Sequence, residues 1–405
     1  MHLTWLLALA VTVLAVYIGL RLAPQLGLVD LPDSRKKHVG SVPLVGGIAI
    51  YAGICVALVL SGQYINHMPF LAAGALIVAT GVWDDVRGVS PYIRLALQAV
   101  SVWLIAGWGG RYIADLGHLM PDGSVLSLGW LGVAFTIFAG VALINAFNMT
   151  DGLDGLCATM ALAALFGGLV MAASIGSHYF EVRLLSVLGA AIIGFLLFNF
   201  PFPGRGQASA FLGDAGSYLL GLSVLYSVIL LTQGENRAMP PVSALWFCLL
   251  PLLDMGGISI RRVMRRRSPF AADREHLHHV FTLAKFSPAA TTGAMAAIAL
   301  IGVLVGTTLV FGNIPELIQF GLFVALAGLY LWHLMRTWKQ LRFLSRSIDR
   351  RVLNRRSLTA QEMRRETDVR GRAGDFEGAN DPVFERRSGE NRRGRRRDDA
   401  LPAVH

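Results

Sequence analysis

Charged residues and cysteines are scarce in this sequence. Only 15% of the 405 residues are charged, whereas a soluble domain carries about 25%. A single water-soluble core is therefore excluded. The cysteines Cys55, Cys157 and Cys248 each stand alone in an apolar run, which argues against a disulfide framework or a cysteine-bound metal. Lysine and arginine are missing before Arg21, so we do not expect a cleaved signal peptide.

The sequence consists largely of long apolar runs that contain few charged residues. Hydrophobic residues make up 54% of the chain, and the mean hydropathy is +0.54. A helix needs roughly 20 apolar residues to cross a bilayer. Runs of this kind occur at 3–22, 44–61, 69–83, 92–110, 130–148, 155–175, 183–199, 215–232, 241–260, 288–311 and 314–335. We therefore predict an all-α polytopic membrane protein, with about eleven transmembrane helices in a membrane domain over 1–335.

Basic residues are unevenly distributed along the chain. They cluster in alternate predicted loops and in the segment 336–405, which holds 19 of the 36 lysines and arginines. Because cytoplasmic loops carry the excess of these residues, the N-terminus is predicted outside and the C-terminus inside. The basic residues of 336–405 are not interleaved with aromatic ones. We therefore predict a mostly disordered cytoplasmic tail beside anionic lipid, and no nucleic-acid partner.

Acidic and amide residues gather at the predicted cytoplasmic ends of the spans. They are Asp84 and Asp85 after the third span, Asn145, Asn148, Asp151 and Asp154 after the fifth, and Asp214 before the eighth. Solvated helix ends, or a helix cap in the case of Asp214, are the alternative interpretations. Hard oxygen ligands near basic residues are typical of Mg²⁺ that holds phosphate groups. The pattern predicts phosphoryl transfer at the cytoplasmic membrane surface.

Histidines and one further acid complete the candidates. His276, His278 and His279 lie beside Arg274 after the ninth span. This segment has neither a histidine pair spaced by four residues nor cysteine partners, so phosphate or hydroxyl binding is favoured over zinc. Asp254 falls within the ninth span, where we expect it to pair with a nearby arginine.

Five motifs in this order resemble the polyprenyl-phosphate N-acetylhexosamine-1-phosphate transferase family (glycosyltransferase family 4). They are DLPDSRKKHVGSVPLVGG (30–47), the pair Asp84–Asp85, NAFNMTDGLDGL (145–156), FLGDAGS (211–217) and SPFAADREHLHH (268–279). The last is similar to the branch that uses UDP-N-acetylglucosamine. The peptidoglycan-precursor branch has three consecutive histidines in its place. Arg94 stands where many members have lysine, which keeps the charge but changes the donor geometry.

The resemblance implies a reaction and a set of roles. N-Acetylglucosamine 1-phosphate would pass from UDP-N-acetylglucosamine to undecaprenyl phosphate at the bacterial inner membrane, releasing UMP, in the synthesis of O-antigen or a similar envelope polysaccharide. Mg²⁺, or alternatively Mn²⁺, would bind Asp214, Asn148 and Asp151. The resemblance assigns catalytic roles to Asp84, Asp85, Asp151 and Asp154, and substrate binding to Lys36, Lys37, His38, Arg94, Asn145, Asn148, Arg274, His276, His278 and His279.

Three alternatives remain at this point. The same chemistry could use another UDP-N-acetylhexosamine. A secondary transporter would use intramembrane acids such as Asp254, although transporter sites lie near the bilayer midplane and most acids here lie at one interface. A membrane scaffold would act through the basic tail. The sequence leaves a homodimer open.

Overall fold

The computed structural model describes residues 3–31, 40–176, 178–202, 207–266, 277, 280–281 and 284–336, and these are mainly helical. Several predicted site residues lie outside the described residues, namely Lys36, Lys37, His38, Arg274, His276, His278 and His279. The predicted tail lies outside them as well, apart from Arg336.

The described helices run in the following order. They are α1 (Thr4–Leu26), α2 (Gly46–Leu60), α3 (Met68–Arg87), α4 (Pro91–Trp103), α5 (Gly132–Thr150), α6 (Leu156–Ile175), α7 (Tyr179–Asn199), α8 (Gly213–Thr232), α9 (Ser243–Phe247), α10 (Leu249–Met264), α11 (Pro288–Phe311) and α12 (Glu316–Arg336). A π-helical turn, Leu104–Trp108, extends α4, and 3-10 turns, Ile65–His67 and Gly129–Leu131, precede α3 and α5.

Within the described residues, eight helices are long and apolar enough to cross a membrane: α1, α3, α5, α6, α7, α8, α11 and α12. This confirms the predicted all-α polytopic membrane fold. Each of the eleven predicted spans overlaps at least one described helix, but the number that cross the bilayer stays a prediction.

The predicted ninth span is not one continuous helix. It divides at Cys248 into α9 and α10. Pro251 lies in the first turn of α10, where it has no N–H to donate and its ring conflicts with the carbonyl four residues earlier. The proline therefore accounts for the break, and the hydropathy pattern alone did not indicate it.

Helix α8 forms the centre of the bundle. Its apolar window is 89% buried, and it packs against α2, α3, α5 and α6. A helix that is apolar on all sides is buried on all sides. Glycines allow the closest approach, since a Cβ built at Gly81 of α3 would lie 2.2 Å from the Ala215 Cα atom of α8.

A short two-stranded sheet joins the end of α1 to the start of α8. Strands β1 (Val29–Asp30) and β2 (Val42–Pro43) are antiparallel, with Val29 opposite Pro43. The Phe211 N–H donates to the Pro43 carbonyl at 2.8 Å, and the Gly46 N–H donates to the Phe211 carbonyl at 3.1 Å. The described end of the motif over 30–47, residues 40–47, is thereby held beside the start of the FLGDAGS motif.

Candidate active site

The C-terminal ends of α3 and α5 meet the N-terminus of α8 at one end of the bundle, called the site end below. Asp85 lies near the end of α3, and its carboxylate accepts the backbone N–H groups of Asp214 at 2.9 Å and Ala215 at 3.3 Å. The first N–H groups of a helix lack partners within the helix, and the helix dipole favours negative charge there. Asp85 therefore caps α8, a role that the sequence suggested for Asp214 itself.

Asp84 is held by three donors. One carboxylate oxygen accepts Nη1 of Arg94 at 2.9 Å and the hydroxyl of Tyr218 at 3.0 Å, and the other accepts the Val89 N–H at 2.7 Å. The Asp84 side chain is 6% exposed, and that of Arg94 is 31% exposed. Arg94, predicted as a substrate contact, is thus paired with Asp84 in the structure while part of its side chain stays accessible.

Asn148 and Asp214 form the centre of the site. The Asn148 side-chain amide donates to an Asp214 carboxylate oxygen at 2.7 Å and lies 2.9 Å from the Ser217 hydroxyl. Two of the three predicted metal ligands are therefore in direct contact. Here the amide nitrogen of Asn148 faces Asp214 and fixes the orientation of its carboxylate.

Asp151 follows the last residue of α5 and adds a further carboxyl group to the same region. Burial raises its pKa well above the ordinary aspartate value, and the nearby carboxylates of Asp214, Asp85 and Asp154 raise it further. Within the described part of the chain, no hydrogen bond to its carboxylate is seen. An ionised Asp151 is thus poorly stabilised by the protein, and a cation would stabilise it.

Two predicted residues make their contacts outside this hydrogen-bond network. Asp154 accepts the Ala208 N–H at 3.1 Å, and its carbonyl accepts the Thr292 hydroxyl at 3.0 Å. Asn145 donates to the Gln98 side chain at 2.7 Å, one turn deeper in the bundle than Asn148. Asp154 still contributes to the electrostatic environment of Asp151.

Several polar residues of this region were missing from the sequence prediction. Tyr218 reaches Asp84, and Ser217 contacts Asn148. Asn199, which is 5% exposed, accepts the Gly155 N–H and donates to the Ala210 carbonyl, both at 2.8 Å. The sequence positions of Ser217 and Tyr218 could have indicated that they belong to the site. Ser217 is the last residue of the FLGDAGS motif, and Tyr218 follows it at the start of an apolar helix.

In the described part of the chain, the side chains gathered at the site end include carboxylates and an amide, whose oxygen atoms are ligands typical of Mg²⁺. Carboxylates of Asp84, Asp85, Asp151 and Asp214 come together, and Arg94 neutralises one of these charges. Among the described residues, no three side chains of His, Cys, Asp or Glu form a cage that could hold a metal alone. Mg²⁺ is usually held by one or two carboxylates together with water and substrate phosphates. The chemistry of the site agrees with such an ion.

Fold and site define an integral membrane enzyme with an acidic site at one end of its helix bundle. Residues 67–232, which include the carboxylates and amides described above, match glycosyl transferase family 4. The undecaprenyl-phosphate alpha-N-acetylglucosaminyl 1-phosphate transferase of Yersinia pestis is 37% identical over 336 residues, which are 82% of this chain and 90% of the relative.

Two further relatives carry the same name. That of Escherichia coli (strain K12) is 35% identical over 351 residues, covering 85% of this chain and 94% of the relative. That of Haemophilus influenzae is 33% identical over 358 residues, covering 84% and 97%. At this identity and coverage, the chain belongs to glycosyl transferase family 4.

Proposed function

We propose that the protein transfers N-acetylglucosamine 1-phosphate from UDP-N-acetylglucosamine to undecaprenyl phosphate and releases UMP. The observation that carries this proposal is the joining of Asp84, Asp85 and Asp214 at the site end, through hydrogen bonds that link three helices. The printed name of the relatives reported above contains both the N-acetylglucosaminyl 1-phosphate group and undecaprenyl phosphate. These relatives match the chain over more than four-fifths of its length.

The proposed chemistry is an exchange between two phosphates. An oxygen of the lipid phosphate attacks the sugar-bearing phosphorus of the nucleotide. The bond from that phosphorus to the bridging oxygen of UMP breaks, and UMP leaves with the electron pair. A phosphate monoester has a second pKa near 6, so the attacking group is largely ionised at neutral pH without a strong base. One pyrophosphate replaces another, and the reaction should therefore be readily reversible.

The contacts at the site end support separate positioning roles for Asp84 and Asp85. Both carboxylates of the Asp84–Asp85 pair accept hydrogen bonds from the protein, which favours positioning over proton removal. Asp84 holds Arg94, whose guanidinium has several further N–H donors for a phosphate. Asp85 holds the start of α8 and with it Asp214. Catalysis in this account consists mainly of positioning and charge neutralisation.

We also propose Mg²⁺, with Mn²⁺ as the alternative, at Asp214, Asp151 and Asn148. When bound, the cation would neutralise charge on the donor pyrophosphate. Asp154 keeps its predicted catalytic role. The remaining predicted residues keep their proposed roles in binding nucleotide, sugar or lipid phosphate: Lys36, Lys37, His38, Asn145, Arg274, His276, His278 and His279.

The proposed setting is the inner membrane of a bacterium, with the N-terminus in the periplasm and the site facing the cytoplasm. The excess of lysine and arginine in the loops at the site end supports this orientation. The lipid-linked product would start an O-antigen or a similar envelope polysaccharide. A homodimer is compatible with this proposal but is not required by it.

The test is release of UMP by the full-length protein in detergent, supplied with undecaprenyl phosphate, Mg²⁺ and a panel of UDP-N-acetylhexosamines. We expect lipid-dependent release with UDP-N-acetylglucosamine and a loss of at least about 100-fold in Asp214→Asn. Asp115→Asn, at the other end of the bundle, is the matched control and should retain activity. Activity only with a different sugar would overturn the proposed donor. Absence of release from folded protein with every donor would overturn the reaction.

A further inference from the structure

Gln98 of α4 is a buried amide that the proposed chemistry does not use. The residue is 0% exposed, and its side-chain oxygen accepts an N–H of the Asn145 side chain at 2.7 Å. The same nitrogen of Asn145 donates to the Val141 carbonyl, also at 2.7 Å. A backbone carbonyl can only accept a hydrogen bond, so it must face the nitrogen of Asn145. Both N–H groups of the Asn145 side chain are therefore used within the protein.

The carbonyl oxygen of Asn145 is the group that remains for a ligand. Among the described residues this oxygen receives no hydrogen bond, and it is not enclosed by the protein. Asn145 as a whole is half-buried. It can thus offer a ligand an acceptor, which suits a hydroxyl or N–H group and does not suit an ionised phosphate oxygen.

This orientation of Asn145 leaves a polar group of Gln98 without a partner. The side-chain nitrogen of Gln98 is buried, and no acceptor for it is seen in the described part of the chain. Turning the Gln98 amide over would place its nitrogen against the nitrogen of Asn145, where two donors would meet. A buried polar group without a partner destabilises a fold. An apolar side chain would avoid that loss, which indicates that the Gln98 amide serves Asn145 more than the fold.

The Gln98–Asn145 pair lies next to the carboxylates of the site end. Gln98 follows Arg94 by four residues on α4, so the two side chains share a helix face. Asn145 precedes Asn148 by three residues on α5 and shares a face with it in the same way. Arg94 and Asn148 both bind carboxylates of the site. The pair is therefore one helical turn from the proposed reaction centre.

We propose that Gln98 is a positioning residue for substrate binding. It fixes Asn145 so that the Asn145 carbonyl oxygen accepts a hydrogen bond from a hydroxyl or N–H group of the sugar nucleotide. This rests on the proposed function, in which Asn145 binds substrate. It adds the kind of group that Asn145 recognises, which is a neutral donor on the nucleoside or the sugar, and not a phosphate of either substrate.

The test measures binding without turnover. Calorimetric titration of the full-length protein in detergent, with Mg²⁺ and without the lipid acceptor, gives the affinities for UMP and for UDP-N-acetylglucosamine. We expect Gln98→Leu to weaken binding about tenfold, since one hydrogen bond to the ligand is lost. A loss for both ligands assigns the donor group to the nucleoside. A loss for UDP-N-acetylglucosamine alone assigns it to the sugar.

Two further variants of α4 separate positioning from a structural role. Gln98→Glu keeps a carbonyl oxygen, because burial favours the neutral carboxyl group, and should bind both ligands within about threefold of the unmodified protein. Ser101→Ala is the matched control. Ser101 is 0% exposed, and its hydroxyl donates to the Leu97 carbonyl of the same helix at 2.9 Å. Its loss should leave both affinities unchanged.

A double variant tests whether Gln98 acts through Asn145. Asn145→Ala removes the oxygen itself and should weaken binding at least as much as Gln98→Leu. Adding Gln98→Leu to Asn145→Ala should cause no further loss, because residues that act through one contact are not additive. Gln98→Met, with a side chain of similar length and no amide, replaces Gln98→Leu if the leucine protein does not fold.

Three results would overturn the proposal. The first is unchanged affinity for both ligands in Gln98→Leu or in Asn145→Ala. The second is an equal loss in the leucine and glutamate variants. The third is an effect confined to the KM for undecaprenyl phosphate at about pH 8, where a phosphate with a second pKa near 6 has no hydrogen to donate. If the unmodified protein binds UMP but releases none from any donor, the proposed reaction fails, while the affinities of the variants still test the role of Gln98.

Discussion

The two ends of the helix bundle use polar residues in different ways. At the opposite end, where segment 111–129 covers the bundle, acids have partners of opposite charge or backbone donors. Asp115 pairs with Arg237 at 3.2 Å, and Glu316 accepts the His118 N–H at 3.1 Å. At the site end, Asp84 and Asp85 also have such partners, but no hydrogen bond to the Asp151 carboxylate is seen among the described residues, and the nearby carboxylates of Asp214 and Asp85 oppose its ionisation.

Polar groups at the opposite end therefore serve the fold. Gln233, just beyond α8, accepts the N–H groups of Ala114 and Asp115 at 2.8 Å and 3.2 Å, and so fastens the loop to the bundle. Like charges held together in a poorly hydrated place cost stability, and such arrangements are typical of functional sites. The contrast indicates that the site end maintains its carboxylates for binding and chemistry at the expense of stability.

Among the substitutions that test this contrast between the two ends, Gly213→Ala is expected to have the largest effect. This residue precedes Asp214 and has φ of 71°, a left-handed conformation that costs other residues about 1–2 kcal/mol. A Cβ here would lie 2.6 Å from an Asp85 carboxylate oxygen, and Asp85 caps α8. We expect Gly213→Ala to lower kcat/KM for UMP release by about 100-fold, because small displacements of catalytic groups have such effects.

Gly123 provides the matched control for backbone strain. It has φ of 79° in segment 111–129, and a Cβ there would meet no atom within 4 Å. Gly123→Ala should therefore lower the melting temperature through backbone strain alone, by less than Gly213→Ala, and leave kcat/KM unchanged. Equal activity of the two variants would show that Gly213 matters only for stability.

A smaller effect is expected at Asp151, and it concerns stability. Substitution of Asp151 should raise the melting temperature, whereas substitution of Gly213 should lower it. Its pKa is raised in the folded protein by burial and by Asp214, Asp85 and Asp154. A raised carboxyl pKa means that the ionised form destabilises the fold as pH rises above the ordinary aspartate value. Asp151→Asn should therefore raise the melting temperature by about 1–2 °C at neutral pH in EDTA, while activity falls. A lower melting temperature would contradict the proposed conflict of charges.

The smallest effect is expected at Asp115. Its ion pair with Arg237 is partly exposed, with side chains 24% and 25% accessible, so it should contribute no more than about 1 kcal/mol. Asp115→Asn should lower the melting temperature slightly, in contrast to Asp151→Asn, with unchanged UMP release. Differential scanning fluorimetry of both variants in one detergent makes the comparison. An increase in stability for Asp115→Asn would remove the distinction between the two ends.

Apolar runs predicted most of the described fold, and charge placement indicated which of the described carboxylates would lie near one another. The hydropathy pattern located the helices because a helix needs roughly 20 consecutive apolar residues to cross the bilayer core. In segment 111–129 a Pro-Asp-Gly turn is typical of a hairpin, and an antiparallel bridge joins Asp115 to Ser127 on either side of it. Placement of carboxylates at the ends of α3, α5 and α8 indicated which residues would meet.

Pairings across helices could not be predicted in the same way. The Asp84–Arg94 ion pair and the capping of α8 by Asp85 depend on how closely α3 and α8 approach, which the small residues at their contact determine. Tyr218 was missed because an aromatic residue in an apolar helix is usually a core residue. The bond from Asp254 to Leu277 is equally invisible in sequence, since neither spacing nor periodicity links them.

The central claim is that the site end transfers a phosphorylated sugar to a lipid phosphate. The most direct measurement uses UDP-N-acetylglucosamine carrying radioactive phosphorus at its β position, with undecaprenyl phosphate and Mg²⁺, and follows the label after organic extraction. The account predicts that the label moves into the lipid fraction with the sugar while unlabelled UMP appears in water, and that Asp214→Asn prevents this. Label that stays in water as UDP while the sugar moves to lipid would contradict the account.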